Sequence, residues 1–279
     1  HIITDSIRGD GKEIYPDLTN EEGTVNRYSI ESNGFSVSTS GYGNASGVDY
    51  VAWCWKAGDH DDNLPQINTE GTIDSIVSVN DEAGFSIVKY TGTGSAATVG
   101  HGLSAPPEMT IVKKTSASGT NWAVYHTGMT DATKYMWLNT TAGQATGTNI
   151  WNSTAPTSTV FSIGTSSNTN TDGDDYIAYC FTSITGYQKI GSYSGNGSSG
   201  GQTITGLGFD PRFLLVKNTT SPASWRIIDA ARGDNNFLFA DTSGVTDSNS
   251  GYISLITDGF RLNGLDSNTS DTFIYLAIK

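Results

Sequence analysis

The stretch GDDYIAYCFTS, residues 173–183, decides the fold, because it recurs as VDYVAWCWKAG at 48–58 and as SDTFIYLAIK at 270–279. Each is a short apolar run opened by Asp and bounded by turn residues, which is the signature of a β-strand rather than a helix. Strict alternation within YVAWCWK and YIAYCFT puts Ala and Cys on one face and Val or Ile with the aromatics on the other. Such a strand is buried on both sides.

Working outward, GFSIVKYTGTGSAATVGHGLSAPPEMTIVKKTSASGTNWAVYHTG (84–128) aligns with GYQKIGSYSGNGSSGGQTITGLGFDPRFLLVKNTTSPASWRIIDAA (186–231). Tyr90 falls with Tyr193, Gly102-Leu103 with Gly206-Leu207, IVKKT with LVKNT, and Trp122 with Trp225. The second half of the unit occurs three times, with HIITDSIRGD (1–10) matching WRIIDAARGD (225–234) and SNGFSVS (32–38) matching TDGFRLN (257–263). The spacing therefore predicts a partial unit at 1–58 that holds only the second half of the repeat, a linker at 59–70, and two full units at 71–184 and 185–279. His1 stands where Trp122 and Trp225 stand, so the sequence reads as opening in mid-repeat. Half a sandwich cannot cover its own apolar face, and completion from upstream sequence or from a neighbouring subunit is expected.

No other pattern competes with strands. Runs such as FSIVKYTG, MTIVKKT, WAVYHTG, TVFSIGT and FLLVKNT are separated by Ser, Thr, Asn and Gly, and no amphipathic helix longer than about two turns is evident. The fold class is all-β, sandwich or jelly-roll-like. No run of about 18 apolar residues exists to span a bilayer, so a soluble protein without membrane insertion is expected. With 15 Lys and Arg against 28 Asp and Glu, the formal net charge of -13 leaves no basic stripe for a nucleic acid.

The two cysteines occupy the same position of different units, too far apart for a disulfide, and the third copy carries Ala277 there. Both are expected to be free, buried and inert, with a small apolar residue sufficing at that place. His1, His60, His101 and His126 lack ligand spacing, and there is no CxxC. The better candidates for a cation are oxygen-rich turns: Asp172, Asp174 and Asp175, with Asp59, Asp61 and Asp62 behind them. Calcium is the one cofactor they suggest, against the plainer reading of Asp-Gly turns ahead of strands.

The recurring D-x-x-R-G, Asp5 to Arg8 and Asp229 to Arg232, pairs an acid with a base, but the middle copy replaces it with His126 and Met129. A local ion pair fixing a turn is the expectation. No GxSxG, P-loop or HExxH occurs, so no catalytic residue is assigned. Tyr15, Tyr42, Trp137 and Trp151 are the candidate sugar-stacking aromatics, against the alternative that they cover a small core. Asn-x-Ser/Thr sequons begin at Asn44, Asn139, Asn152, Asn196, Asn218 and Asn268, a number that a chain this rich in Asn, Ser and Thr reaches by chance.

The motifs GFSIVKYTGTGSAATVGHGLSAPPEMTIVKKTSASGTNWAVYHTGM, TAPTSTVFSIGT, YIAYCF, GYQKIGSYSGNG and YVAWCWKAG resemble a repeat-domain family of marine tailed-bacteriophage virion and tail-fibre-like structural proteins. The resemblance covers essentially the whole chain. It implies a lectin-like, concanavalin-A-like β-sandwich, location in the virion after assembly in the host cytoplasm, and thiols kept reduced there. Implied partners are other virion proteins or copies of the chain itself in a homo-oligomer, and a host surface polysaccharide or receptor. The function expected is that of a non-enzymatic structural component. The alternatives are a polysaccharide-degrading enzyme of lectin or glucanase type and a bacterial surface adhesin or filament subunit.

Overall fold

A computed structural model describes residues 1–38, 43–58, 66–234, 236–244, 253–264 and 268–279. Its described residues form strands, turns and connections with no helix. In the first unit β1 (Lys12–Glu13) pairs with β2 (Gly23–Thr24), and β3 (Tyr28–Glu31) pairs with β4 (Gly34–Val37), while Ile3 bridges Ile14.

The second unit runs through β5 (Gln66–Asn68), β6 (Ser75–Asn80), β7 (Phe85–Thr91), β8 (Ala97–Gly100), β9 (Met109–Lys114), β10 (Ala123–His126), β11 (Lys134–Trp137), β12 (Ala145–Thr146), β13 (Val160–Ile163) and β14 (Asp175–Phe181). Eight of these make one antiparallel sheet in the order β12-β11-β10-β9-β14-β7-β6-β5, and β8 pairs with β13 as a separate two-stranded ribbon. Expected as part of a linker, Gln66–Asn68 instead forms the edge strand β5, on which Ile67 is 74% exposed.

The third unit has β15 (Gln188–Ser194), β16 (Gln202–Thr205), β17 (Phe213–Asn218), β18 (Arg226–Asp229), β19 (Leu238–Phe239), β20 (Ile253–Ile256), β21 (Gly259–Leu262) and β22 (Thr272–Ile278). Its sheets are ordered β15-β22-β17-β18-β19 and β16-β21-β20.

Matching positions of the second and third units do matching work. The closing strand β14 lies between β7 and β9, and β22 lies between β15 and β17, in each case antiparallel to both neighbours. Tyr90 stacks on its cross-strand partner Tyr176 at 5.2 Å, and Tyr193 stacks on Phe273 at 4.9 Å. Such aromatic pairs stabilise a sheet beyond the area they bury. Gly102 and Gly206 both sit at positive φ, 76° and 86°, where a side chain would be strained.

Because β9, β14, β17 and β22 carry apolar residues on both faces, each main sheet has two jobs. One face closes its own sandwich: Tyr193, Leu214, Val216, Phe260, Phe273 and Tyr275 belong to the core of the third unit. The opposite face, with Leu215, Ile227, Ile274 and Leu276, joins Ile87, Ile111 and Tyr179 of the second unit and Ile14 of the first in a common cluster. The units therefore share a core and cannot be treated as beads on a string.

The two cysteines part company. Cys180 is fully buried against Thr110, and burial pushes its thiol up to about 12, whereas Cys54 is exposed. The expectation of two buried thiols fails at Cys54 for a definite reason. Residues 48–57 keep the alternation of a strand, with Val51, Trp53, Trp55 and Ala57 turned inward, but they pair with no strand among the described residues. The neighbours that cover Cys180 from β7 and β9 have no counterpart beside Cys54 among the described residues.

Candidate functional site

The place where the three units meet is built by side chains that recur along the sequence. Trp122 donates its indole N–H to the carbonyl oxygens of Tyr15 (3.0 Å) and Leu18 (3.2 Å) in the first unit. Trp225 donates to the carbonyl of Trp137 (2.9 Å) in the second. Both indoles are buried, so leaving either N–H unpaired would cost about 1–3 kcal/mol.

Lysine follows the same rule. Lys113 donates from Nζ to the carbonyls of Thr19 (3.2 Å) and Thr120 (2.9 Å), and Lys217 to those of Thr141 (2.9 Å) and Ala223 (2.6 Å). Each lysine thus ties its own unit to the loop of the unit before. Both are fully buried, and burial lowers their pKa to about 8. Backbone bonds reinforce the joint, from the Glu22 N–H to Thr115 and from the Gln144 N–H to Thr219.

A second set of contacts runs around the junction and closes on itself. Tyr179 of the second unit donates to Asp5 of the first (2.8 Å), and Trp53 of the first donates to Asp229 of the third (3.3 Å). His126 of the second meets the carbonyl of Tyr275 of the third (3.2 Å). Asp5, His126 and Asp229 are equivalent residues of the repeat, so the three units form a ring through one position. The D-x-x-R turns are local ion pairs as expected, Asp5 with Arg8 (2.5 Å) and Asp229 with Arg232 (2.6 Å). Each aspartate also receives a donor from another unit, and the Arg232 guanidinium lies 5.7 Å over the Trp53 ring.

Neither buried histidine is a base waiting for a substrate. A carbonyl accepts from Nε2 of His126, so that nitrogen carries the proton, and Nδ1 accepts from the Gly128 N–H at 2.9 Å. His101 repeats the arrangement, with the Thr157 carbonyl at 3.1 Å and the Leu103 N–H at 3.2 Å. A second proton would set two N–H groups against each other. Burial holds the pKa of His126 down at about 4 and lowers that of His101.

Between the first unit and the outer faces of the other two opens a concavity of about 2310 Å³. Leu18, Phe35, Val48, Tyr50 and Ile67, all more than 40% exposed, lie on its lining. Large apolar side chains exposed together mark an interaction surface.

The sequence-derived candidates distribute as follows. Tyr15 lines the concavity, half-buried, with its hydroxyl on Glu13 (3.0 Å). Trp137 packs on Tyr135 at 4.6 Å between ring centres, and the carbonyls of Tyr15 and Trp137, with that of Leu18, receive the buried indoles. Trp151 is 2% exposed and meets Tyr125 edge-on, so its faces are spent on the core rather than open to a sugar. Tyr42 lies outside the described residues, as do Asp59, Asp61 and Asp62.

Asp174 accepts from Lys114 (2.6 Å) and Ser116 (2.8 Å), and these bonds hold its carboxyl below the usual range. Asp175 accepts from Thr91 (2.8 Å), and Asp172 is exposed. Among the described residues no group of three or more His, Cys, Asp or Glu is arranged to hold a metal ion. The Asp-Gly turn acts as a clasp on the β7–β14–β9 end of the sheet.

With this geometry in view, comparison with known families gives one answer. Residues 1–279 match DUF7483, a domain of unknown function. The chain belongs to the DUF7483 family. The match takes in all three units and therefore the whole junction. No curated protein and no solved structure matches the chain. Membership fixes the family without assigning an activity, so the reading of the junction rests on its chemistry. Sequence reasoning missed Lys113, Lys217, Trp122 and Trp225 as functional residues. Their signal was present in the recurrence of IVKKT with LVKNT and of Trp at matching places.

Proposed function

We propose that this DUF7483 chain is a non-enzymatic structural component of a phage virion, of tail or fibre type, whose units serve as a rigid scaffold. One observation carries the reading: five ionisable groups that converge at the junction each make a contact that joins one unit to another. Asp5, Asp229, Lys113, Lys217 and His126 are each satisfied by protein partners. An active site instead keeps such groups open toward a cleft. The resemblance of the repeat motifs to virion structural proteins supplies the setting. Contact with a host surface glycan or receptor belongs to the same proposal.

Purified particles of the encoding phage, analysed by mass spectrometry and by gold-labelled antibody in the electron microscope, test it. The chain is expected in stoichiometric amount on the tail or its appendages. Its absence from particles, or its presence on bacterial envelopes in uninfected cells, would refute the assignment. Incubation with host polysaccharide is expected to release no reducing ends.

A further inference from the structure

The closing strands of the second and third units show what the first unit lacks. β14 is flanked along its length by β7 and β9, and β22 by β15 and β17, whereas residues 49–55 make no backbone hydrogen bond to any described residue. Yet this segment is held in place and in phase. Its inward side chains Trp53 and Trp55 pack edge-on against Phe213 at 5.6 and 5.3 Å, and the carbonyls of Lys56 and Ala57 accept from Asn80 and Ser78. Trp53 also makes the same ring contact as Tyr179, to the aspartate of another unit. The segment is a strand in orientation, with both edges unpaired among the described residues.

We propose that residues 49–55 are a receptor strand, and that the concavity beside them docks two β-strands of the repeat's own opening type, one on each flank and each antiparallel to it. Three observations select this occupant. The first is volume. Two strands of seven residues, at a spacing of ~4.8 Å and a layer thickness of ~10 Å, need roughly 2200 Å³, and the concavity, at about 2310 Å³, has room for them.

The second is the lysine joint. In the other units the third strand of the repeat sends a lysine to the loop of the preceding unit, at Thr19 and at Thr141. The ring of contacts makes the third unit the predecessor of the first. Asn139 and Asp241 accept from the backbone N–H groups of Trp122 and Trp225 respectively, which makes Ser243 the counterpart of Thr141, and Ser243 lines the concavity. A docked strand of the IVKKT type carries its lysine toward that loop.

The third is the apolar surface. Leu18, Phe35, Val48 and Tyr50 stand exposed around this opening, where an added strand pair buries them by strand addition to an open edge. The proposal concerns the junction itself and does not depend on the virion assignment.

Cys54 reports the outcome, since Cys180 at the same position of a completed unit is buried. Residues 84–121 joined directly ahead of His1 reproduce the order by which Asn121 leads into Trp122. In the parent chain Cys54 is expected to be alkylated rapidly and Cys180 only on unfolding. In the fusion Cys54 alkylation is expected to slow at least tenfold, with slowed amide exchange at 49–55. A fusion carrying the same residues in scrambled order is expected to leave Cys54 as reactive as in the parent. Unchanged Cys54 reactivity in the ordered fusion overturns the proposal. So does protection in the parent chain that rises with its concentration, which would assign the slot to a second copy.

Discussion

Acid is expected to loosen the joint between the second and third units through His126. Its imidazole is fully satisfied as the neutral form protonated on Nε2, giving a hydrogen bond to Tyr275 and accepting one from Gly128. The pKa is held at about 4 against an ordinary 6.5, so the folded state refuses a proton that the unfolded chain takes up below pH 6.5. The stability due to the neutral ring is fully present above 6.5 and is lost as the pH falls toward 4. At pH 4.5 the loss amounts to about 2.5 kcal/mol, a sizeable part of the ~5–15 kcal/mol typical of a domain.

Urea denaturation at pH 7 and pH 4.5 measures it, on the parent chain and on His126→Gln. The amide keeps a donor toward Tyr275 but does not titrate. Both proteins lose stability from other groups over this range, including His101, whose pKa burial also lowers. The expected signature is the difference: the parent falls by about 2.5 kcal/mol more than the variant. Equal losses would show that His126 takes its proton at an ordinary pKa and that the tautomer argument is wrong.

Two further tests address the buried groups. Lys217→Met removes the donor shared by the Thr141 and Ala223 carbonyls and is expected to cost about 2 kcal/mol in denaturant titration, relief of the buried charge offsetting part of the lost bonding; a neutral or stabilised variant would show that the joint does not need the lysine. Cys180, with its thiol pushed from 9.0 to about 12, contributes stability that is full below pH 9 and fades above it as the unfolded thiol ionises. Relative to Cys180→Ala, the parent should therefore lose about 2 kcal/mol between pH 8 and 10.5 in thermal or denaturant unfolding, and parallel pH profiles would count against a buried neutral thiol.

The strands were legible because their signal is local. Alternation, β-branched and aromatic residues, and bounding Gly, Asn and Asp fixed β7, β9, β14, β17 and β22 without any knowledge of neighbours. The repeat was legible because equivalent residues carry the same packing duty in each copy, as Tyr90 and Tyr193 or Gly102 and Gly206 do. The Asp5–Arg8 and Asp229–Arg232 pairs were legible too, being contacts within one turn.

The junction was not. Nothing in IVKKT reveals that Lys113 reaches Thr19, because the two come together only when one unit packs on another. The same holds for Tyr179 with Asp5 and Trp53 with Asp229, whose partners lie far apart in the chain. Trp151 misled for the reverse reason: an aromatic beyond an obvious strand looked free to stack on a sugar, but Tyr125 and the surrounding core cover it.

Sequence by itself determined an all-β chain of repeated units, with closing strands marked by YVAWCW, YIAYCF and FIYLAI, because period and composition are properties of neighbouring residues. Only the tertiary structure decided that the units close into a ring, that lysine and tryptophan are the fasteners, and that Cys54 is exposed where Cys180 is buried. Burial depends on what lies across a face and along an edge, and the residues that supply or withhold that cover are distant in sequence.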